Sequence, residues 1–98
     1  LIQPTDHAVE IRLLRTPDGA DPEAYRRLCY WSLCAALPTT ALMVTTADDG
    51  PPPGHPRKLA ELVAHDAGPL SPAEARGVSQ TISLVMVGAF RAYGGRLD

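Results

Sequence analysis

The first clear pattern along the chain is an alternation. Val9, Ile11 and Leu13 fall on one side of an extended segment, and Glu10 and Arg12 fall on the other. A period of two predicts a half-buried strand within Ala8–Arg15. Thr16-Pro17-Asp18-Gly19 then supplies turn chemistry. Asp21-Pro22-Glu23 opens a helix: aspartate caps it, proline suits its first position, and glutamate suits its positive end. This helix is expected to run to about Leu37, where Pro38 stops it. On its wheel Glu23, Arg26, Arg27 and Tyr30 form a narrow polar sector. Ala24, Leu28, Trp31 and Ala35, flanked by Tyr25, Cys29, Leu33 and Ala36, cover most of the remainder. So wide an apolar arc predicts a helix sunk into the core.

Thr40–Thr46 is rich in β-branched residues and reads as a second strand, which completes a β-α-β unit. Asp48-Asp49-Gly50-Pro51-Pro52-Pro53-Gly54-His55-Pro56 is a loop. A short helix is expected over Pro56–Ala67, with Leu59, Leu62 and Val63 on one face. Ser71-Pro72-Ala73-Glu74 is a capping box, and the helix it starts is expected to reach about Tyr93 before Gly94-Gly95. Its roughly 21 residues span about 31 Å, enough to cross a small domain as its central helix. The expected fold is therefore α+β and predominantly helical: a short β-α-β unit followed by two helices, the last long and central. The alternative is all-α, with Ala8–Arg15 an extended arm and Thr39–Thr46 a helical turn. Two short parallel strands leave open backbone edges, so one of them is expected to find a further partner strand, either in a second copy or elsewhere in the parent protein.

Length and composition narrow the classes. The 98 residues, with 45% apolar and 20% charged side chains and a net charge of −2, suit one folded, soluble domain and do not suit disorder. Eight of the nine basic residues are arginine, with Lys58 the only lysine, a bias typical of a GC-rich genome. The chain opens at Leu1 and closes on Gly94-Gly95-Arg96-Leu97-Asp98, which reads as a single domain cut from a longer polypeptide. Cys29 and Cys34 are five residues apart on a helix. They stand about 140° apart around the axis and about 7.5 Å along it, too divergent for a disulfide. Apolar free thiols point to the cytoplasm or another reducing intracellular compartment. Leu28–Ala47 is free of charge for twenty residues, but Pro38 interrupts it and it carries four threonines and a serine, so a buried helix followed by a buried strand accounts for it better than a membrane span.

No pattern specifies chemistry. His7, His55 and His65 lie far apart without metal-ligand spacing. Asp48-Asp49-Gly50 runs into prolines where a calcium loop needs more oxygen ligands. Nucleophile elbows, phosphate loops and dinucleotide fingerprints are absent, so no catalytic residue, cofactor or metal site is assigned. Arg12, Arg15, Arg26 and Arg27 are interleaved with acidic residues and make no stripe for phosphates, which argues against a nucleic-acid partner. Pro51-Pro52-Pro53 lacks the P-x-x-P context of a groove ligand and reads as a stiff loop.

The last helix carries the clearest interaction signal. Val78, Ile82, Val85, Met86 and Ala89 form its core face, against which Trp31 of the first helix is expected to pack. Leu84, Val87 and Phe90 instead fall among Arg76, Ser79, Gln80, Ser83 and Arg91, beside a small-residue strip of Gly77, Thr81 and Gly88. Either the Pro56–Ala67 helix covers them, or they form an interface built on Leu84, Val87, Phe90 and Gly88. The expected partner is a second copy in a two-fold homodimer, or another protein. The functional expectation is a non-catalytic protein-interaction or oligomerisation domain of a larger protein. The alternatives are a regulatory nucleic-acid-binding protein and a small enzyme.

Overall fold

The computed structural model describes residues 9–38, 40–47, 49–64 and 72–96. The order of elements is β1 (Val9–Leu13), α1 (Pro22–Ala36), β2 (Leu42–Thr46), β3 (Ala60–Ala64) and α2 (Pro72–Ala92). The fold is α+β with a long final helix, and its three strands form one mixed sheet in the order β2-β1-β3. The all-α alternative is thereby set aside.

β1 lies at the centre of the sheet, bonded to a strand on each side. It runs parallel to β2, with Ile11 opposite Val44, and antiparallel to β3, with Ile11 opposite Leu62 and Leu13 opposite Ala60. Val9, Ile11, Leu13, Leu42 and Val44 are buried against the helices. Glu10, Arg12, Thr45 and Glu61 occupy the opposite face, where Thr45 Oγ1 donates to Glu10 Oε2 at 3.3 Å and Arg12 Nη1 stands 3.6 Å from Glu61 Oε1. Both described helices lie on one side of the sheet, which is why β1 alternates instead of being apolar throughout.

One sequence expectation is corrected here. The Pro56–Ala67 segment contains strand β3, so two helices are present among the described residues where three were expected. Leu59, Leu62 and Val63 recur at helical spacing, but so short an apolar run also satisfies a period of two, with Ala60 and Leu62 inward and Glu61 outward. The open antiparallel edge of β1 decides between them. The further partner strand, expected in a second copy or elsewhere in the parent protein, is instead β3 of this same chain, which pairs with β1.

Local signals hold well elsewhere. Ala20 N–H donates to the Pro17 carbonyl at 3.1 Å across a turn that places Gly19 at φ 81°. Asp21 Oδ2 accepts from Ala24 N–H at 3.0 Å, capping α1 with Pro22 at its first position. At the end of α2, Gly94 N–H donates to the Arg91 carbonyl and Gly95 N–H to the Phe90 carbonyl, both at 2.9 Å, with Gly94 at φ 79°. This pair of bonds is the Schellman closure, which consumes carbonyls the helix end leaves open. Ser71 of the capping box lies outside the described residues.

Burial on α1 is narrower than its wheel implies. Tyr25, Cys29 and Leu33 are the buried positions, an i, i+4, i+8 stripe facing β2 and α2. Trp31, expected in the core, is 67% exposed, and Ala35 and Ala36 are exposed as well. A helix in the outer layer of a two-layer fold has solvent behind it, so one stripe is all the core receives. Ile82 is buried, as its place on the core face of α2 requires.

Candidate functional site

α2 separates two surfaces. Its buried row is Val78, Ile82, Met86, Ala89 and Phe90. Leu84 lies two residues from both Ile82 and Met86, about 200° around the axis, and is 76% exposed. Trp31 bears the same relation to Cys29 and Leu33 on α1, and its ring meets Tyr30 edge-on at 5.3 Å between centroids. The side of the helix layer away from the sheet therefore presents the two most exposed large apolar side chains among the described residues.

The four residues expected to form an interface do not stay together. Leu84 is exposed, Gly88 is exposed, and Val87 is half-buried against the core. Phe90 is buried: Tyr25 meets its ring at 6.3 Å, and the Arg15 guanidinium lies 5.0 Å from its centroid. Phe90 belongs with Ala89 and Met86 because the core widens toward the C-terminal end of α2, where Tyr25 and Tyr93 also pack. The hydroxyls on the polar side of α2 are satisfied within the helix, with Thr81 Oγ1 donating to the Gly77 carbonyl at 2.9 Å and Ser83 Oγ to the Ser79 carbonyl at 3.1 Å.

The second surface is a cleft of about 360 Å³ between the start of β3 and the middle of α2. Leu59, Ile82, Met86 and Val87 form its apolar lining, and Arg57 and Lys58 stand at its mouth. A neighbouring recess shares Lys58, Ala60, Ile82 and Ser83 and extends past Leu62, so the two form one groove along β3. Sequence reasoning missed this groove, because a helix over Pro56–Ala67 would have turned Leu59 and Leu62 onto a single face. The one available signal was Ala60, too small to fill the space beneath a helix.

Titratable groups offer little for catalysis. Burial pushes the Cys29 thiol up to about 11 and raises the Tyr25 phenol above its ordinary range, so both stay protonated at neutral pH. The Tyr25 hydroxyl is fully buried and makes no hydrogen bond of good geometry. Both cysteines are free thiols, with Cys34 half-buried. Among the described residues no three His, Cys, Asp or Glu side chains gather as a metal ligand set, and no helix is long and apolar enough to cross a membrane. The charge-free Leu28–Ala47 stretch is divided between the end of α1, a connection and β2.

The four arginines of the first third are scattered. Arg12 pairs with Glu61, Arg26 and Arg27 share Glu23, and Arg15 lies over Phe90. Of the histidines, His55 is exposed in the proline loop, whereas His7 and His65 lie outside the described residues, as does Asp48 of the acidic pair. Set against known protein families, curated proteins and solved structures, the chain matches none of them.

Proposed function

We propose that this chain is a non-catalytic protein-interaction domain that self-associates through the solvent side of its helix layer, as a two-fold homodimer. The observation that carries this reading is the exposure of Trp31 and Leu84 on the sides of α1 and α2 that face away from the sheet. Exposed apolar patches mark interaction surfaces, and tryptophan is among the residues that most often anchor them. The small side chains Ala35 and Gly88 on the same helices leave room for close approach of another surface. Closed two-fold pairing is the simplest assembly in which one patch serves both partners.

Sedimentation equilibrium of the wild type against a Trp31→Ser, Leu84→Glu double variant tests the reading. Both positions lie outside the core, so the variant folds, and its dimer dissociation constant is expected to rise about tenfold or more. Equal association of the two proteins, or two monomers at all concentrations, overturns it.

A further inference from the structure

The groove beside β3 has a feature that an apolar hollow alone does not have: a strand edge that no other described strand pairs with runs along it. β3 ends the sheet, and in its antiparallel ladder with β1 the Leu14 N–H donates to the Leu59 carbonyl at 2.8 Å. Leu59, and two residues on Glu61, therefore turn their backbone groups toward β1. By the same alternation the N–H and C=O of Ala60, and of Leu62 just before the register shift between Ile11 and Glu10, point away from the sheet, and no described residue bonds to that edge. Ala60 and Leu62 also line the groove, opposite Ile82 and Ser83 of α2. Main-chain donors and acceptors thus border an apolar trough that a helix closes from above.

Charge selects among occupants. Arg57 and Lys58 are exposed at the end of the groove where β3 begins. Lys58 Nζ is 3.8 Å from Glu61 Oε2, a carboxylate already shared with Arg12. Arg57 enters no ion pair among the described residues. Among the described residues, therefore, the positive charge at the mouth is not fully compensated. A small anionic amphiphile would meet that charge and the apolar floor, but it would leave the outward groups of Ala60 and Leu62 in water. An extended peptide meets all three.

We propose that the groove between β3 and α2 binds an extended peptide segment of a partner protein as a fourth strand. The peptide bonds through its main chain to Ala60 and Leu62, places alternate apolar side chains over Ile82 and Met86, and presents an acidic residue to Arg57 and Lys58. Strand addition of this kind draws affinity from the main chain and specificity from alternate side chains. Five residues of β3 offer about 17 Å of edge at 3.3 Å per residue, room for a short linear motif. The proposal goes beyond the self-association reading and involves a different face, so each stands or falls separately.

The test begins with a random seven-residue peptide library displayed on phage and selected against the intact chain. Enriched peptides are expected to alternate apolar and polar positions and to carry an acidic residue at one end. A synthetic copy of the best peptide, titrated into isotope-labelled protein, is expected to slow amide exchange at Ala60 and Leu62. Three variants follow. Ala60→Pro removes an outward N–H that the ladder does not use, as proline tolerates at a sheet edge. Ser83→Trp fills the groove from an exposed helix position, and Arg57→Glu reverses the charge at its mouth. The first two are expected to weaken binding about tenfold or more, and the third about fivefold. If Ala60→Pro does not fold, the other two decide. The proposal is overturned if no peptide is enriched, if the selected peptide perturbs Trp31 and Leu84 instead, or if Ser83→Trp binds it as tightly as the wild type. It is also overturned if sodium octanoate competes fully with the peptide while leaving the Ala60 and Leu62 amides unprotected in both complexes.

Discussion

The two edges of the sheet are strands of equal length, five residues each, and the helices cover them very differently. At the β2 edge, Leu42 and Val44 are buried beneath α1, whose Tyr25, Cys29 and Leu33 fill the contact. At the β3 edge, Ala60 and Leu62 are only half-buried beneath α2. The helix above β3 is the longer and more apolar of the two, so hydrophobicity does not explain the gap. Side-chain size and position do. Ala60 is short, α2 presents Ser79 and Ser83 toward this edge, and its C-terminal aromatic residue is spent on α1 through the Tyr25–Phe90 contact. A strand edge under a filled helix contact is part of the core, whereas one under a partly filled contact remains open to a ligand.

Truncation on each side of the sheet is the strongest way to break this comparison. Leu33→Ala, on the filled side, is expected to cost about 2–5 kcal/mol, because it leaves a dry cavity. Ile82→Ala, which borders the open groove, is expected to fall at the lower end of that range, near 2 kcal/mol, since water can enter the space. Urea melts of both variants check the order, and equal costs would show that the two sides are packed alike.

Alkali probes the filled side by another route. The buried Cys29 thiol holds its proton to about pH 11, against an ordinary value of 9.0 in the unfolded chain. Below pH 9 both states keep the proton and the contribution is complete. Between pH 9 and 11 the unfolded chain releases it while the folded chain does not, so stability falls, on the order of 2–3 kcal/mol. Denaturant melts across this window should show that slope in the wild type and a shallower one in Cys29→Ala. The remaining slope belongs to the tyrosines, since burial raises the Tyr25 phenol and the hydrogen bond with Cys34 raises the Tyr30 phenol. An unchanged slope would remove Cys29 from the buried stripe.

Gly95→Ala disturbs the anchor of α2. An added Cβ would run into the Phe90 ring and come within 2.8 Å of the Phe90 carbonyl oxygen. A cost of about 1–3 kcal/mol is expected from the forced shift. A neutral result by thermal melting would mean that the helix end gives way freely and does not fix how α2 sits over β3. The smallest effect is expected at Trp31. Although it is the largest side chain in the protein, Trp31→Ala should change stability by less than about 0.5 kcal/mol, since the side chain is two-thirds exposed. A larger loss in the isolated monomer would place it in the core and leave Leu84 as the sole exposed anchor.

Legibility followed the range of the interactions. The alternation in β1, the Asp21 cap, the Pro38 stop and the Gly94-Gly95 closure are all readable because each is decided within a few residues of chain. The core face of α2 was readable too, since Val78, Ile82 and Met86 recur at the spacing of a single helix stripe. Of the interface residues inferred from that helix, only Leu84 and Gly88 are exposed. The wheel separates Phe90 from the core face by a modest angle, and nothing in its local pattern shows that Tyr25 lies there to cover it.

The sequence by itself determined the α+β class, most of the helix and strand positions, and the residues that cap and stop them, because propensity, capping and periodicity act locally. Only the tertiary structure decided three things: that Ala60–Ala64 is a strand, that Trp31 faces water, and that a groove opens beside β3. Each depends on an element distant in the chain. β1 required a second partner, α1 had solvent behind it, and α2 met small side chains where it crossed the edge of the sheet. A short apolar segment is compatible with several local structures, and the neighbour that offers it hydrogen bonds or burial selects one.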